Sequence, residues 1–295
     1  MRRERARLIA VSQPAADAFL YSVPASAHFR MPSNLLRIAL QRRLGLYLPG
    51  LASIPGLRPT DYLGDSILAD GLQEHSSRHH KVNNVWYQAA TAVFGAAAMR
   101  KPTSEPAYSV GANPDWVAEF AGEGGVHILG ENKVYNPLRS DATELRRASV
   151  YPFGATEYDL RISILGEHAG TAAAPLLPRA DGEPHPTAKY ESAIQGGHRV
   201  VPIIHEVFGG LAHEAVAFLA ELGRLRSQAL GADGEHATWA ARSFMPFWRQ
   251  RISIAVQLGT ALELARAVAQ GEDHVRAIAR GRARRACSPQ PSAGF

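Results

Sequence analysis

Apolar residues recur at helical spacing in several parts of this chain and in short, dense bursts in others. Residues 14–23 (PAADAFLYSV) and 33–45 (SNLLRIALQRRLG) carry the helical period. In the second, Ser33 is an N-cap candidate, Leu36, Ala39, Leu40 and Leu44 form a stripe, and Gly45 is a stop. Residues 46–75 are broken by Pro49, Gly50, Pro55, Gly56, Pro59 and Gly64 and read as a loop-rich connector. From Ser77 a long helix begins, with Val82, Val85, Trp86, Ala89, Val93 and Ala96 on one face. After Pro106 the texture turns to strand-like runs, AYSV, DWVAEF and VHILGENKVYN, the last two joined by the glycine-bearing AGEGG. TEYDLRISIL adds a possible strand, and a Pro/Ala-rich loop follows it. RVVPIIHEV at 199–207 is apolar almost throughout, as a central buried strand is. Helices are predicted over about 211–230 and 246–270.

This order predicts a mixed α/β protein with a small central sheet, an antiparallel hairpin and flanking helices. Its divisions are a helical, loop-rich extension over 1–75, an α/β domain over 76–270, and a basic flexible tail over 271–295. Composition leaves that picture intact: 295 residues, 46% hydrophobic and 20% charged, suffice for a sizeable core. The single cysteine, Cys287, excludes a disulfide framework and a thiolate zinc cluster. No run approaches the roughly 18 apolar residues of a spanning helix, and the basic N-terminus lacks the apolar run of a secretory signal. No membrane partner is expected, and an intracellular location, the nucleus included, is the default.

Charge adds something. The net +5 is concentrated at the ends, with eight Arg against Glu4 and Asp17 in residues 1–50 and five Arg against Glu272 and Asp273 in residues 271–295. A basic rim about a mildly acidic middle suits a polyanion, although terminal arginines are also ordinary solvated surface.

The candidate chemistry lies in the hairpin. Pro114-Asp115 is followed, after fifteen intervening residues, by Glu131-Asn132-Lys133. Glu131 and Lys133 stand two apart on one strand, so they share a face, and Asp115 opens the neighbouring strand. Two carboxylates beside an ammonium make a Mg²⁺ site, with Lys133 placed to orient an attacking water or neutralise phosphate charge. The chain has 28 Arg and only four Lys, so a lysine here runs against its habit. A surface hairpin with an ordinary Glu/Lys pair is the plainer alternative. His75, His79 and His80 could pair on zinc, but solvent-facing histidines are the better reading. His205 and Glu206 read as a satisfied strand end. Phe244, Phe247 and Trp248 beside Arg242, Arg249 and Arg251 could grip a nucleic acid, although aromatics at helical spacing are more often core.

The blocks GDSILADGLQEHSSRHHKVNNVW, PDWVAEFAGEGGVHILGENKVYNPL, HRVVPIIHEVFGGLAHEAVAFLAEL and FWRQRISIAVQLGTALELARAV follow a known order. Over about residues 14–270 the chain resembles the C-terminal region of reverse-transcriptase-bearing retroelement polyproteins. The resemblance implies a restriction-endonuclease-like domain of the PD-(D/E)xK type. Asp115 and Glu131 would then hold Mg²⁺ or Mn²⁺, joined by the Asn132 carbonyl, with Lys133 catalytic and Lys189-Tyr190 a basic-aromatic nucleic-acid contact. DNA is implied as partner ahead of RNA, and the oligomeric state is left open. Two departures stand out. Ser66 and Ala69 occupy positions where relatives carry zinc-knuckle ligands, so no zinc is expected, and Lys81 stands where relatives place a helix acid. An active endonuclease, an inactive nucleic-acid-binding remnant and an unrelated α/β protein therefore remain as alternatives.

Overall fold

The computed structural model describes residues 2–24, 26–48, 50–54, 57, 61–69, 75–102, 108, 113–138, 154–170, 187–230 and 243–286. In chain order the helices are α1 (Arg2–Val11), α2 (Ser33–Leu44), α3 (Asp65–Ala69) and α4 (His75–Phe94). Strands β1 (Met99–Arg100), β2 (Trp116–Ala118) and β3 (Ile128–Tyr135) follow. After them come α5 (Gly154–Leu165), α6 (Glu191–Gln195), β4 (Arg199–Glu206), α7 (His213–Leu230) and α8 (Phe244–Ala286).

The four strands form one mixed sheet in the order β1-β2-β3-β4. The β1–β2 and β2–β3 pairs are antiparallel, and β3–β4 is parallel. The protein is thus mixed α/β, with a small sheet covered by helices on both faces. On one face Trp116, Ala118, Ile128, Val201 and Ile203 pack with Val82 and Trp86 of α4, Phe218 of α7 and Ile252 of α8. On the other, Val117 and Leu129 meet Ile164 of α5, Tyr190 and Ala193.

The expected hairpin is present: β2 and β3 are adjacent and antiparallel, and Trp116 faces Gly130. The connection turns through Gly124 and Gly125 at φ 72° and 78°, a region that glycine enters without a Cβ clash. Gly130 serves a different purpose. A Cβ there would lie 2.1 Å from the Trp116 ring, so the fully buried indole needs a bare backbone beneath it.

Several elements differ from the sequence pattern, each for a physical reason. RVVPIIHEV forms the strand, but at the edge of the sheet and not its centre. Arg199 and Val207 donate to His127 and Tyr135, so odd-numbered residues bond β3 and Pro202 turns its N–H-less side outward, as an edge strand allows. It is nonetheless buried, because α5 and α7 cover it. TEYDLRISIL is helical within α5, where Ile162 and Ile164 are both buried; their alternation imitates a strand, and tertiary packing overrides it. Residues 14–23 hold only a short 3₁₀ turn at Ala18–Tyr21, preceded by Ala15 at a positive φ of 68°. The helix lies earlier, as α1. In α2 Ala39 is buried and Leu36 and Leu40 pack against the core as expected, joined by the buried Leu35 and Arg42, whereas Leu44 is 64% exposed. Gly45 closes α2 in the left-handed conformation as expected, whereas Pro32, not Ser33, is the N-cap. Of AYSV only Tyr108 lies within the described residues. The last helix runs through the expected boundary at 270 as far as Ala286. By length and composition its Phe244–Gly271 stretch is apolar enough to cross a membrane, which the sequence reading passed over; here 61% of its apolar window is buried inside the fold.

The loop-rich extension is tied down by charge. Asp61 caps α3 by accepting from the Asp65 and Ser66 amides, at 2.7 and 2.9 Å. The wholly buried Asp65 takes hydrogen bonds from Arg42 of α2 (2.6 Å) and Asn136 (3.3 Å), and from Arg3 of α1. Arg43 donates to the Ala16 and Val11 carbonyls. Part of the N-terminal arginine excess is therefore spent inside the molecule.

Candidate active site

The site forms where β2 meets β3 beneath the start of α4. Pro114 has no N–H with which to extend the ladder past Asp115. The Asn132 N–H donates to Asp115 Oδ2 at 2.6 Å, and the Asn132 carbonyl lies 3.2 Å from His79 Nε2. The same Nε2 lies 3.2 Å from the Asp115 carboxylate. Both neighbours can only accept, so Nε2 carries the proton in this arrangement. The Asp115 hydrogen bond, foremost, raises the His79 pKa above its ordinary value, against the opposing effect of burial. One turn along α4, Asn83 donates to Asp115 Oδ1 at 3.2 Å and accepts from the Asn132 side chain at 3.1 Å.

Glu131 lies on the other side of β3. It is 2% exposed, and its Oε1 accepts from Lys133 Nζ and Lys189 Nζ, both at 2.6 Å. Its Oε2 accepts from the Tyr190 hydroxyl, whose oxygen also lies 3.0 Å from the Asn113 carbonyl. Burial and then the Glu131 charge push the Tyr190 phenol upward, which keeps it a donor. The two lysines stay accessible, with side chains 35% and 30% exposed.

The three residues expected on one face divide into two groups. Glu131 and Lys133 share a face and an ion pair, as the strand period requires. Asp115 turns toward α4, and the two carboxylates have no common hydrogen-bond partner among those described. Lys189 and Tyr190, expected as nucleic-acid contacts, are partners of Glu131. The remaining expected contacts separate. Arg251 is 9% exposed, lies over the Trp248 ring at 4.7 Å and donates to Gln88 of α4, so it is not at the surface. Arg249 is half-buried beside a cavity of about 310 Å³ near Asp17 and Tyr21. Arg242 lies outside the described residues. Phe244, Phe247 and Trp248 are core. His205 is a core histidine, its Nε2 accepting from the Trp86 indole at 2.8 Å while its buried Nδ1 has no hydrogen-bond partner among the described residues.

His79 and Asn83 went unrecognised in the sequence, His79 having been read as solvent-facing. A signal was present. They continue the inward stripe of Val82, Trp86 and Ala89 toward the start of α4, so the buried face turns polar within its first two turns. Such a break marks a site more often than a core.

Oxygen donors for a hard cation are present: the Asp115 and Glu131 carboxylates and the Asn132 carbonyl, of the type Mg²⁺ takes. Among the described residues no three His, Cys, Asp or Glu side chains gather at one point, so a site here depends on that backbone carbonyl. Asp115 and the Asn132 carbonyl lie together beside His79, and Glu131 would join them on an ion only by leaving its lysines and turning toward Asp115. No protein-family model matches the chain, and no curated protein or solved structure matches it either.

Proposed function

We propose that the protein is a divalent-metal-dependent endonuclease with a restriction-endonuclease-like core, derived from a retroelement and hydrolysing phosphodiester bonds in nucleic acid, DNA before RNA. One observation carries the reading: the β2–β3 hairpin holds Asp115 and Glu131 on adjacent chain segments, with Lys133 bonded to the buried Glu131. Asp115, Glu131 and the Asn132 carbonyl would hold Mg²⁺ or Mn²⁺. Bound there, the ion supplies Lewis acidity and a water made nucleophilic at neutral pH. The protein's own groups do the rest. Two ammonium groups on one Glu131 oxygen allow one to turn toward a scissile phosphate while the other keeps the carboxylate paired. Lys133, a compact donor a third exposed, is placed to neutralise charge growing on the phosphate oxygens. Tyr190 holds Glu131 in orientation, and Asn83 does the same for Asp115.

A second reading, a nucleic-acid-binding remnant that cuts nothing, is favoured by one feature. Both carboxylates are already satisfied by protein donors, Glu131 by Lys133, Lys189 and Tyr190, and Asp115 by His79, Asn83 and the Asn132 amide. A supercoiled-plasmid nicking assay with Mg²⁺ or Mn²⁺ separates the two. The endonuclease nicks, and an Asp115→Ala variant does not; a remnant leaves the plasmid intact in both.

A further inference from the structure

We propose that His79 is itself a metal ligand, forming with Asp115 and the Asn132 carbonyl a mixed nitrogen–oxygen site that selects Mn²⁺ over Mg²⁺. The proposal rests on the endonuclease reading and specifies the ion of that same site.

The argument is geometric. His79 Nε2 stands 3.2 Å from the Asp115 carboxylate and 3.2 Å from the Asn132 carbonyl. Adjacent ligands on an octahedral ion with bonds near 2.1 Å are separated by about 3 Å, so Nε2 already stands from each of the two oxygens at the spacing of neighbouring ligands. An ion in that position replaces the Nε2 proton, and the neutral ring keeps its proton on Nδ1. The supporting contacts are in place. Asn83, one turn further along α4, holds Asp115 Oδ1 and the Asn132 side chain, and the Asn132 N–H holds Asp115 Oδ2 at 2.6 Å beside the imidazole. The His79 side chain is 31% exposed, so an ion reaches it from solvent.

The ligand type sets the choice of ion. Mg²⁺ prefers oxygen donors throughout and loses its waters reluctantly. An imidazole favours first-row transition ions, and Mn²⁺ accepts carboxylate and carbonyl oxygens beside it. A helix acid in place of His79 would remove that preference. This chain has no acid at the position: His79 and Asn83 are the α4 side chains that meet Asp115.

The test uses the full chain without a histidine tag and Mn²⁺ as the probe. Pulsed electron paramagnetic resonance detects an imidazole nitrogen bound to Mn²⁺, and competition titrations give the Mn²⁺ and Mg²⁺ affinities. The wild type should show nitrogen modulation and prefer Mn²⁺. His79→Ala and His79→Gln should lose the modulation, bind Mn²⁺ about tenfold or more weakly, and change little toward Mg²⁺. The modulation is read on the wild type, so the result does not depend on either variant folding. Bound Mn²⁺ without nitrogen modulation, abolished by Asp115→Ala, overturns the role of His79 and leaves the endonuclease reading standing. Wild-type protein that binds no Mn²⁺, or binds it equally well as Asp115→Ala, overturns both.

Discussion

The buried ionisable groups divide into those that the fold neutralises and those that it pairs. Glu131 is paired, with a phenol and two ammonium groups, whereas His205 is held neutral. Complete burial lowers the His205 pKa from 6.5 to about 3, and the Trp86 indole donates to the ring's lone pair. The sign of the consequence follows. Below pH 6.5 the unfolded chain takes up a proton that the folded chain refuses, so this group's contribution is intact above 6.5 and is lost as pH falls toward 3. The slope is about 1.4 kcal/mol per pH unit for one proton. Urea unfolding at a series of pH values should show it, and His205→Gln, which keeps an acceptor for Trp86, should flatten it. An unchanged slope in the variant would assign the acid sensitivity elsewhere. At this scale the sequence was partly legible. The Pro-Asp and Glu-x-Lys spacing located Asp115, Glu131 and Lys133, because strand periodicity is a local property. That Lys189 meets Glu131 was not legible, since 58 residues separate the two along the chain.

Among the elements, the β2–β3 hairpin fixes the site, and its register depends on one bare position. Trp116 lies across Gly130, and any Cβ there would sit 2.1 Å from the indole. Gly130→Ala should therefore cost about 1–3 kcal/mol through overpacking, read as a lowered thermal midpoint, because the buried ring has nowhere to move. A midpoint equal to wild type would mean that the indole is not held there. The hairpin was readable from glycines and alternation, and the long helices from their period. The elements that were not are instructive. β1 is two residues long, too short to leave a pattern, and α5 carries an Ile-x-Ile run whose periodicity points the wrong way. The edge position of β4 was hidden because covering helices make an edge strand as apolar as a central one, although Pro202 marked it.

For the whole molecule, charge and its disposition set the expected partner. Arg42 and Arg7 are buried and Arg3 is half-buried, engaged with Asp65, Glu4 and Asp61, so the N-terminal excess is a poorer guide to a binding surface than composition implies. Lys133 and Lys189 remain accessible at the site itself. Duplex binding should weaken steeply with salt, by about 10³-fold or more from roughly 50 to 200 mM if six or more phosphates are contacted. Fluorescence anisotropy of a labelled duplex reads this directly. Binding that ignores salt, or no binding at low salt, would count against the endonuclease and the remnant alike.

The central claim concerns what Lys133 does beside Glu131. Arginine keeps the charge but not the compact ammonium, and it does not readily give up a proton. Lys133→Arg and wild type, compared on one labelled DNA at fixed salt and Mn²⁺, give cleavage and binding from the same samples. The account predicts that wild type cuts, that the variant cuts about 10²-fold more slowly or worse, and that both bind alike. Equal metal-dependent cutting by the two proteins would contradict the role of Lys133, and no cutting by either would contradict the enzyme.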